Sequence, residues 1–200
     1  MSKKSYDGLK KHKFMRGLRC FASSIIHSKY TIKPGKQSSL RVENILSKLS
    51  VFNHNVCLLS FCKAGHSALI MLNRDNSYSY FSAYSREPCF YEGVKKSDVS
   101  EVIISEITHW GDELHQDNVV YIKGLDIRNM MDTIYDKRKN YKFNVLSNNC
   151  SRFAADVLLA GCCESPEKFR HYRRWQMPAN TLELAREIAQ LQQKHGSYIG

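Results

Sequence analysis

"KFNVLSNNCSRFAADVLLAG", residues Lys142 to Gly161, runs from an extended stretch into a helix and carries one cysteine at the junction. With Asn149 as N-cap, Cys150 is the first helical residue. Phe153, Ala154, Val157 and Leu158 then share its face at i+3, i+4, i+7 and i+8. Gly161 reads as the glycine that ends the helix. A first helical turn presents free N–H groups and the positive end of the macrodipole, and both lower a thiol's pKa. The same N–H groups can receive an oxyanion. The competing reading is a packed thiol, because free cysteine is among the most buried residue types.

A nucleophilic thiol needs a base. Of eight histidines, His66 in "KAGHSALIML" follows a glycine and opens an apolar strand, on the same face as Ala68, Ile70 and Leu72. A polar ring there requires a partner, either a catalytic group or a backbone carbonyl. His12, His27, His54, His109, His115, His171 and His195 stand in polar or basic stretches and read as solvated.

Around these two residues the chain reads as one α+β domain. The runs 55–62, 65–73 and 78–85 form a meander of strands, with "RDNS" turning between the last two. Residues 97–110 fit a helical face through Val99, Val102, Ile103, Ile107 and Trp110, with Ser97 or Asp98 as cap. Residues 118–124 read as a further strand, and 126–139 as a helix capped by Asp126 with cations at its end. After the Cys150 helix comes the basic, aromatic "KFRHYRRW" (168–175). A last helix spans about Thr181 to His195, with Asn180 and Glu183 resembling a capping box. Residues 1–50 read as a basic leader or arm, with "KPGKQSS" (33–39) as a loop, and 51–200 as the folded domain. Within the leader, Leu9, Phe14, Leu18, Phe21 and Ile25 recur near helical spacing among cations, as in a segment lying on an anionic membrane.

Thirty Lys and Arg against 19 Asp and Glu give a formal charge of +11, which favours an anionic partner such as a membrane surface, an acidic protein or nucleic acid. Seven cysteines form neither a regular disulfide framework nor a CxxC pair. Cys150, Cys162, Cys163 and His171 lack zinc-site spacing, so no metal is expected. Reduced thiols point to a reducing compartment. The N-terminus has no apolar core of a cleaved export signal, and no run reaches the roughly 18–20 apolar residues of a membrane span.

"GHSALIML" followed 84 residues later by "NNCSRF" resembles the circularly permuted, NlpC-type branch of papain-like thiol enzymes, in which the histidine strand precedes the cysteine helix. PPPDE-type isopeptidases and lecithin:retinol acyltransferase-like proteins show a similar helix start, matched by Asn149, Cys150 and Phe153. The longer order is closer to bacterial toxin and effector enzymes: the histidine strand, "YSYFSAYS", "SDVSE", "GLD" before a helix, "NNCS", then "W-x-M-P" leading into a terminal helix. Those enzymes are the Rho-inactivation domain of MARTX toxins and the IcsB-type lysine fatty-acyltransferases. The similarity covers roughly residues 56–192, strongest at "GHSAL" and "NNCS".

The resemblance implies an antiparallel sheet packed on the helix that bears the nucleophile, and a Cys150–His66 dyad with Asn149 beside it. It also implies an acidic third residue between them. Asp98 is the first choice, with Asp112, Asp117 and Ser82 as alternatives, although Asp98 also reads as an ordinary helix cap. It implies a secreted bacterial effector that works inside a host cell, on a protein substrate and at membranes. Lysine fatty acylation through a thioester is favoured, with acyl-CoA as co-substrate and no resident cofactor. A cysteine protease or amidase of the same fold is the alternative. A third reading is a basic nucleic-acid-binding module, in which "KFRHYRRW" contacts phosphates and stacks bases. No nucleic-acid-binding signature accompanies it, so nucleic acid is not the expected partner.

Overall fold

The apolar runs 56–61 and 66–72 lack polar alternation, as strands covered on both faces should. The computed structural model describes residues 36–51, 54–61, 65–83, 89–110, 114–139, 141–144, 147–172 and 176–196. Strands β1 (Val56–Phe61), β2 (His66–Leu72), β3 (Tyr78–Ser82), β4 (Cys89–Val94) and β5 (Val119–Ile122) form one antiparallel sheet in the order β4-β3-β2-β1-β5. Helices α1 (Lys36–Val51) and α2 (Lys96–Trp110) cover one face. Helices α3 (Ile127–Lys139), α4 (Cys150–Gly161) and α5 (Pro178–Gly196) cover the other. The chain is therefore α+β, with the sheet as the middle of three layers.

Period-two alternation divides the strand residues between two cores. Leu58, Leu69 and Phe81 join Phe153, Leu158 and Ile188 on the α3–α4–α5 side. Leu59, Ile70 and Tyr80 join Leu46, Val99 and Ile103 on the α1–α2 side. Both sets are buried, so the core strands show no exposed face in their sequence.

Several elements differ from the sequence reading. Residues 36–51, within the expected leader and its loop, form α1, because Val42, Ile45, Leu46 and Leu49 make an apolar stripe that enters the core. The packed unit thus includes residues before 51, while residues 1–35 lie outside the described part. Strand β4 was not anticipated: it is half-exposed, and Gly93 sits at φ +63° within it. Strand β3 stops at Ser82, and of the described part of 141–146 only Asn144 pairs, in an isolated bridge to Asn148. Helix α5 begins at Pro178, a favoured first helical residue, so Asn180 lies in the first turn rather than at the cap. In "KFRHYRRW", Phe169 is fully buried in the core, while Arg173, Arg174 and Trp175 lie outside the described residues.

Gly161 does not act through a left-handed conformation. It is the last residue of α4, and the next residue, Cys162, is extended at φ −80°. Its lack of a side chain instead admits the start of α3. A Cβ there would meet Met130 Cγ at 2.5 Å and Asp126 O at 3.3 Å, and the Gly161 carbonyl accepts the Asp126 N–H at 2.8 Å. Gly161→Ala gains helix propensity of about 1 kcal/mol but overpacks a buried methionine at a cost of about 1–3 kcal/mol. A net loss of about 1 kcal/mol is expected, read as a lower denaturant midpoint with an unchanged slope. An equal or higher midpoint would show that Met130 gives way freely.

Candidate active site

Asn149 is extended (φ −98°, ψ 176°), and its Oδ1 accepts the Arg152 N–H at 2.8 Å, which makes it the N-cap of α4. Cys150 therefore opens the helix, as its sequence position predicts, and is 5 % exposed. Its Sγ lies 3.8 Å from the Gly65 carbonyl oxygen. Gly65, at φ +73°, turns the chain into β2 and places the thiol beside the first residue of that strand, His66.

His66 is buried (1 % exposed) and points to the α2 side of the sheet. Its Nε2 lies 2.9 Å from Ser82 Oγ and 3.3 Å from Glu106 Oε2. Tyr80 Oη donates to the same Glu106 oxygen at 2.6 Å. Tyr80 and Ser82 are alternate residues of β3 and so share the face of His66. Glu106 and Trp110 are one turn apart on α2, and the Trp110 ring stacks on the imidazole at 4.9 Å between centroids. Phe61, paired with His66 in the sheet, flanks the ring at 5.6 Å. The imidazole is thus held between aromatic rings with a carboxylate at one nitrogen.

Burial alone would push the Cys150 thiol up and the His66 imidazolium down. Their mutual charge and side-chain hydrogen bond outweigh this, so the thiol is lowered and the imidazole raised. The Ser67 backbone and the Ser151 hydroxyl lower the thiol further. Burial likewise opposes ionisation of Glu106, but His66, Ser82 and Tyr80 hold its carboxyl below the usual range. Cys150 and His66 thus each favour the charged form of the other, and the Glu106 carboxyl backs the imidazole.

The structure brings Cys150, His66, Asn149 and Ser82 together. Asp98 lies elsewhere. It is exposed at the start of α2, where Oδ2 accepts the Lys95 N–H at 3.3 Å and Oδ1 the Ser97 hydroxyl at 3.0 Å. The acid of α2 that reaches His66 is Glu106, two turns further on. Asp117 is exposed in a short 3-10 turn before β5, and neither it nor Asp98 contacts His66. Asp112 lies outside the described residues. Glu106 had a readable signal: it falls on the stripe of Val99, Ile103, Ile107 and Trp110, where an unpaired carboxylate would be costly.

The start of α4 is fixed from two sides. The Thr181 hydroxyl, fully buried, lies 3.1 Å from both the Ser151 carbonyl and Gln176 Oε1. Asn149 Nδ2 donates to the Gln176 carbonyl at 3.0 Å. Across the helix, the Ser151 and Ser67 hydroxyls meet at 3.1 Å, so α4 is tied to the strand that carries His66.

A family model described as the IcsB middle domain matches residues 59–200 of this chain. No curated protein and no solved structure matches it.

Because the thiol is lowered, alkylation of Cys150 by iodoacetamide is expected to persist at pH values where ordinary thiols, with pKa near 8.5, are protonated. Glu106→Gln keeps the shape and the Tyr80 contact but removes the charge that holds the imidazolium. The midpoint of the rate–pH profile should rise by about one unit, a tenfold slower reaction on the acid limb. An unmoved midpoint would assign Glu106 to packing alone. Thr181→Val frees the Ser151 carbonyl and Gln176, at a stability cost of about 1–3 kcal/mol for unsatisfied buried groups, measurable by denaturant unfolding.

Proposed function

The chain belongs to the IcsB middle-domain family, and we propose that it is a bacterial effector enzyme that transfers an acyl group through a thioester on Cys150. The observation that carries this reading is the convergence of Cys150, His66 and Glu106 at one end of the sheet. The order of parts, histidine strand first and cysteine helix later, supports a permuted papain-like arrangement of the fold.

In this mechanism the Cys150 thiolate attacks the carbonyl carbon of an acyl donor, for which an acyl-CoA thioester is the proposed class. The oxyanion forms at the start of α4, near the Cys150 N–H and the positive end of the helix. Collapse expels the donor's thiolate, which takes the proton from the His66 imidazolium. A lysine amine of a protein substrate then attacks the Cys150 thioester and loses a proton to His66, and the Cys150 thiolate leaves. Nε2 faces Glu106 throughout, which leaves Nδ1 as the nitrogen that exchanges protons. Glu106 orients the ring and stabilises its charged form, as a triad acid does.

Water in place of the amine would make the same site a hydrolase, a cysteine protease or amidase. Burial favours transfer: Cys150 and His66 are both buried, and Trp110 and Phe61 flank the imidazole, so a thioester there is poorly hydrated. A reducing host-cell interior keeps the thiol available, and the formal net charge of +11 suits a target at an anionic membrane. No helix among the described residues is long and apolar enough to cross a membrane.

The test is incubation with palmitoyl-CoA and a lysine-containing acceptor protein, followed by intact-mass measurement of both chains. A hydroxylamine-sensitive palmitoyl adduct on the enzyme and a resistant one on the acceptor are expected. Both should be absent in Cys150→Ala and reduced at least tenfold in His66→Ala. Palmitate release without acceptor modification would assign a hydrolase, and acylation undiminished in Cys150→Ala would refute the reading.

A further inference from the structure

Away from Cys150, a cleft of about 320 Å³ opens where α1 crosses the β5 edge of the sheet. Arg41, Asn44 and Lys48 lie on one helical face and line it from α1, His115 lines it from the segment before β5, and Tyr121 lines it from β5 itself. Among the described residues, no carboxylate lines it. Beside the Tyr121 ring stand a lysine and a second imidazole. Lys48 Nζ stands 6.0 Å above its centroid, and the His54 ring is 5.6 Å from it. Burial and then the nearby charge of Lys123 depress the proton affinity of His54.

A concave site lined by guanidinium and ammonium groups raises the local concentration of anions. Arginine matches phosphate oxygens with its planar fork, and lysine supplies a point charge. Inorganic phosphate would use the cations alone. Here an apolar and aromatic wall adjoins them: Ile45 and Val119 on one side and the Tyr121 ring on the other. The volume falls at the lower end of the roughly 300–1,000 Å³ typical of small-molecule pockets. We propose that this cleft binds an organic phosphate, with its phosphates against Arg41, Lys48 and His115 and its ring or apolar part against Tyr121.

The cleft lies on the sheet face that His66 occupies. Val119 pairs with Leu59, and Leu59 with Ala68, two residues along β2 from His66. Strand spacings put the two about 12 Å apart. Trp110, stacked on His66, ends α2, and Leu114, close after it in sequence, is buried and lines the cleft. A bound phosphate would therefore sit one short segment from the aromatic cover of the imidazole. The assignment is independent of acyl transfer.

A free nucleotide and a phosphorylated lipid headgroup present the same chemistry, and the test separates them. Calorimetric titration of the full chain uses ADP and inorganic pyrophosphate as probes. Flotation uses phosphatidylcholine vesicles with and without about 5 % phosphatidylinositol bisphosphate. The variants are Arg41→Glu with Lys48→Glu, and a control of equal net charge, Lys139→Glu with Lys142→Glu, on the far side of the sheet. Unchanged Cys150 alkylation shows that each is folded. ADP is expected to bind more tightly than pyrophosphate, and to weaken at least tenfold in the cleft variant but not in the control. Vesicle binding that requires the phosphoinositide and is lost only in the cleft variant would assign the lipid source and equally support the site. ADP no tighter than pyrophosphate together with no phosphoinositide-dependent vesicle binding, equal losses in both variants, or no saturable binding of any probe would overturn it.

Discussion

The structure depends on a buried charge arrangement at one end of its sheet. The Cys150 thiol, the His66 imidazole and the Glu106 carboxyl would each resist ionisation if buried alone, and each is drawn towards its charged form by its neighbours. Removing one partner of such a set typically costs about 3–5 kcal/mol, because the remaining charge is left uncompensated. That sensitivity explains why so much of the surrounding structure is fixed. Tyr80 and Ser82 hydrogen-bond to Glu106, Phe61 and Trp110 enclose the ring, and Asn149, Thr181 and Gln176 hold the helix start. Few of these groups need touch a substrate. Their common effect is to hold Cys150, His66 and Glu106 in place where water is scarce.

The sheet is what allows parts so distant in sequence to meet. Antiparallel pairing places Phe61 opposite His66 and Ala68 opposite Ser82, so the rows next to the active end come from three strands. Helix α2 then contributes Glu106 and Trp110 from one layer, and α4 contributes Cys150 from the other. A one-residue slip of β2 would turn His66 towards the α4 layer and separate it from Glu106. The apolar residues that set the register of β2 therefore also set the geometry of the site.

How much of this was legible in the sequence follows from where each signal resides. Cys150 and Asn149 announce themselves locally, through a capping residue before an apolar helical stripe. His66 does so through a polar ring that heads an apolar strand. Glu106 was passed over because its neighbours Ser105 and Ile107 make the segment read as an ordinary amphipathic helix, and Asp98 at its start had an obvious local role. Asp98 does play that capping role. Strand β4 was not legible because its residues are half-exposed and it gains its place only by pairing with β3. Helix α1 carried a legible stripe, masked by the basic composition of the leader around it.

The residues "GHS" at 65–67 show how three consecutive positions serve both layers. Gly65, at positive φ and without a side chain, lets the Cys150 sulfur approach the strand backbone. His66 points to the α2 layer and reaches Glu106. Ser67, one residue on and therefore on the opposite face, reaches the Ser151 hydroxyl of α4. The strand's alternation thus links His66 to Glu106 on one side and ties the strand to the Cys150 helix on the other. A cysteine on a helix of one layer can engage a histidine facing the other layer only at the end of a strand, where no further backbone intervenes. Placement at the sheet's end is a condition for Cys150 and His66 to meet at all.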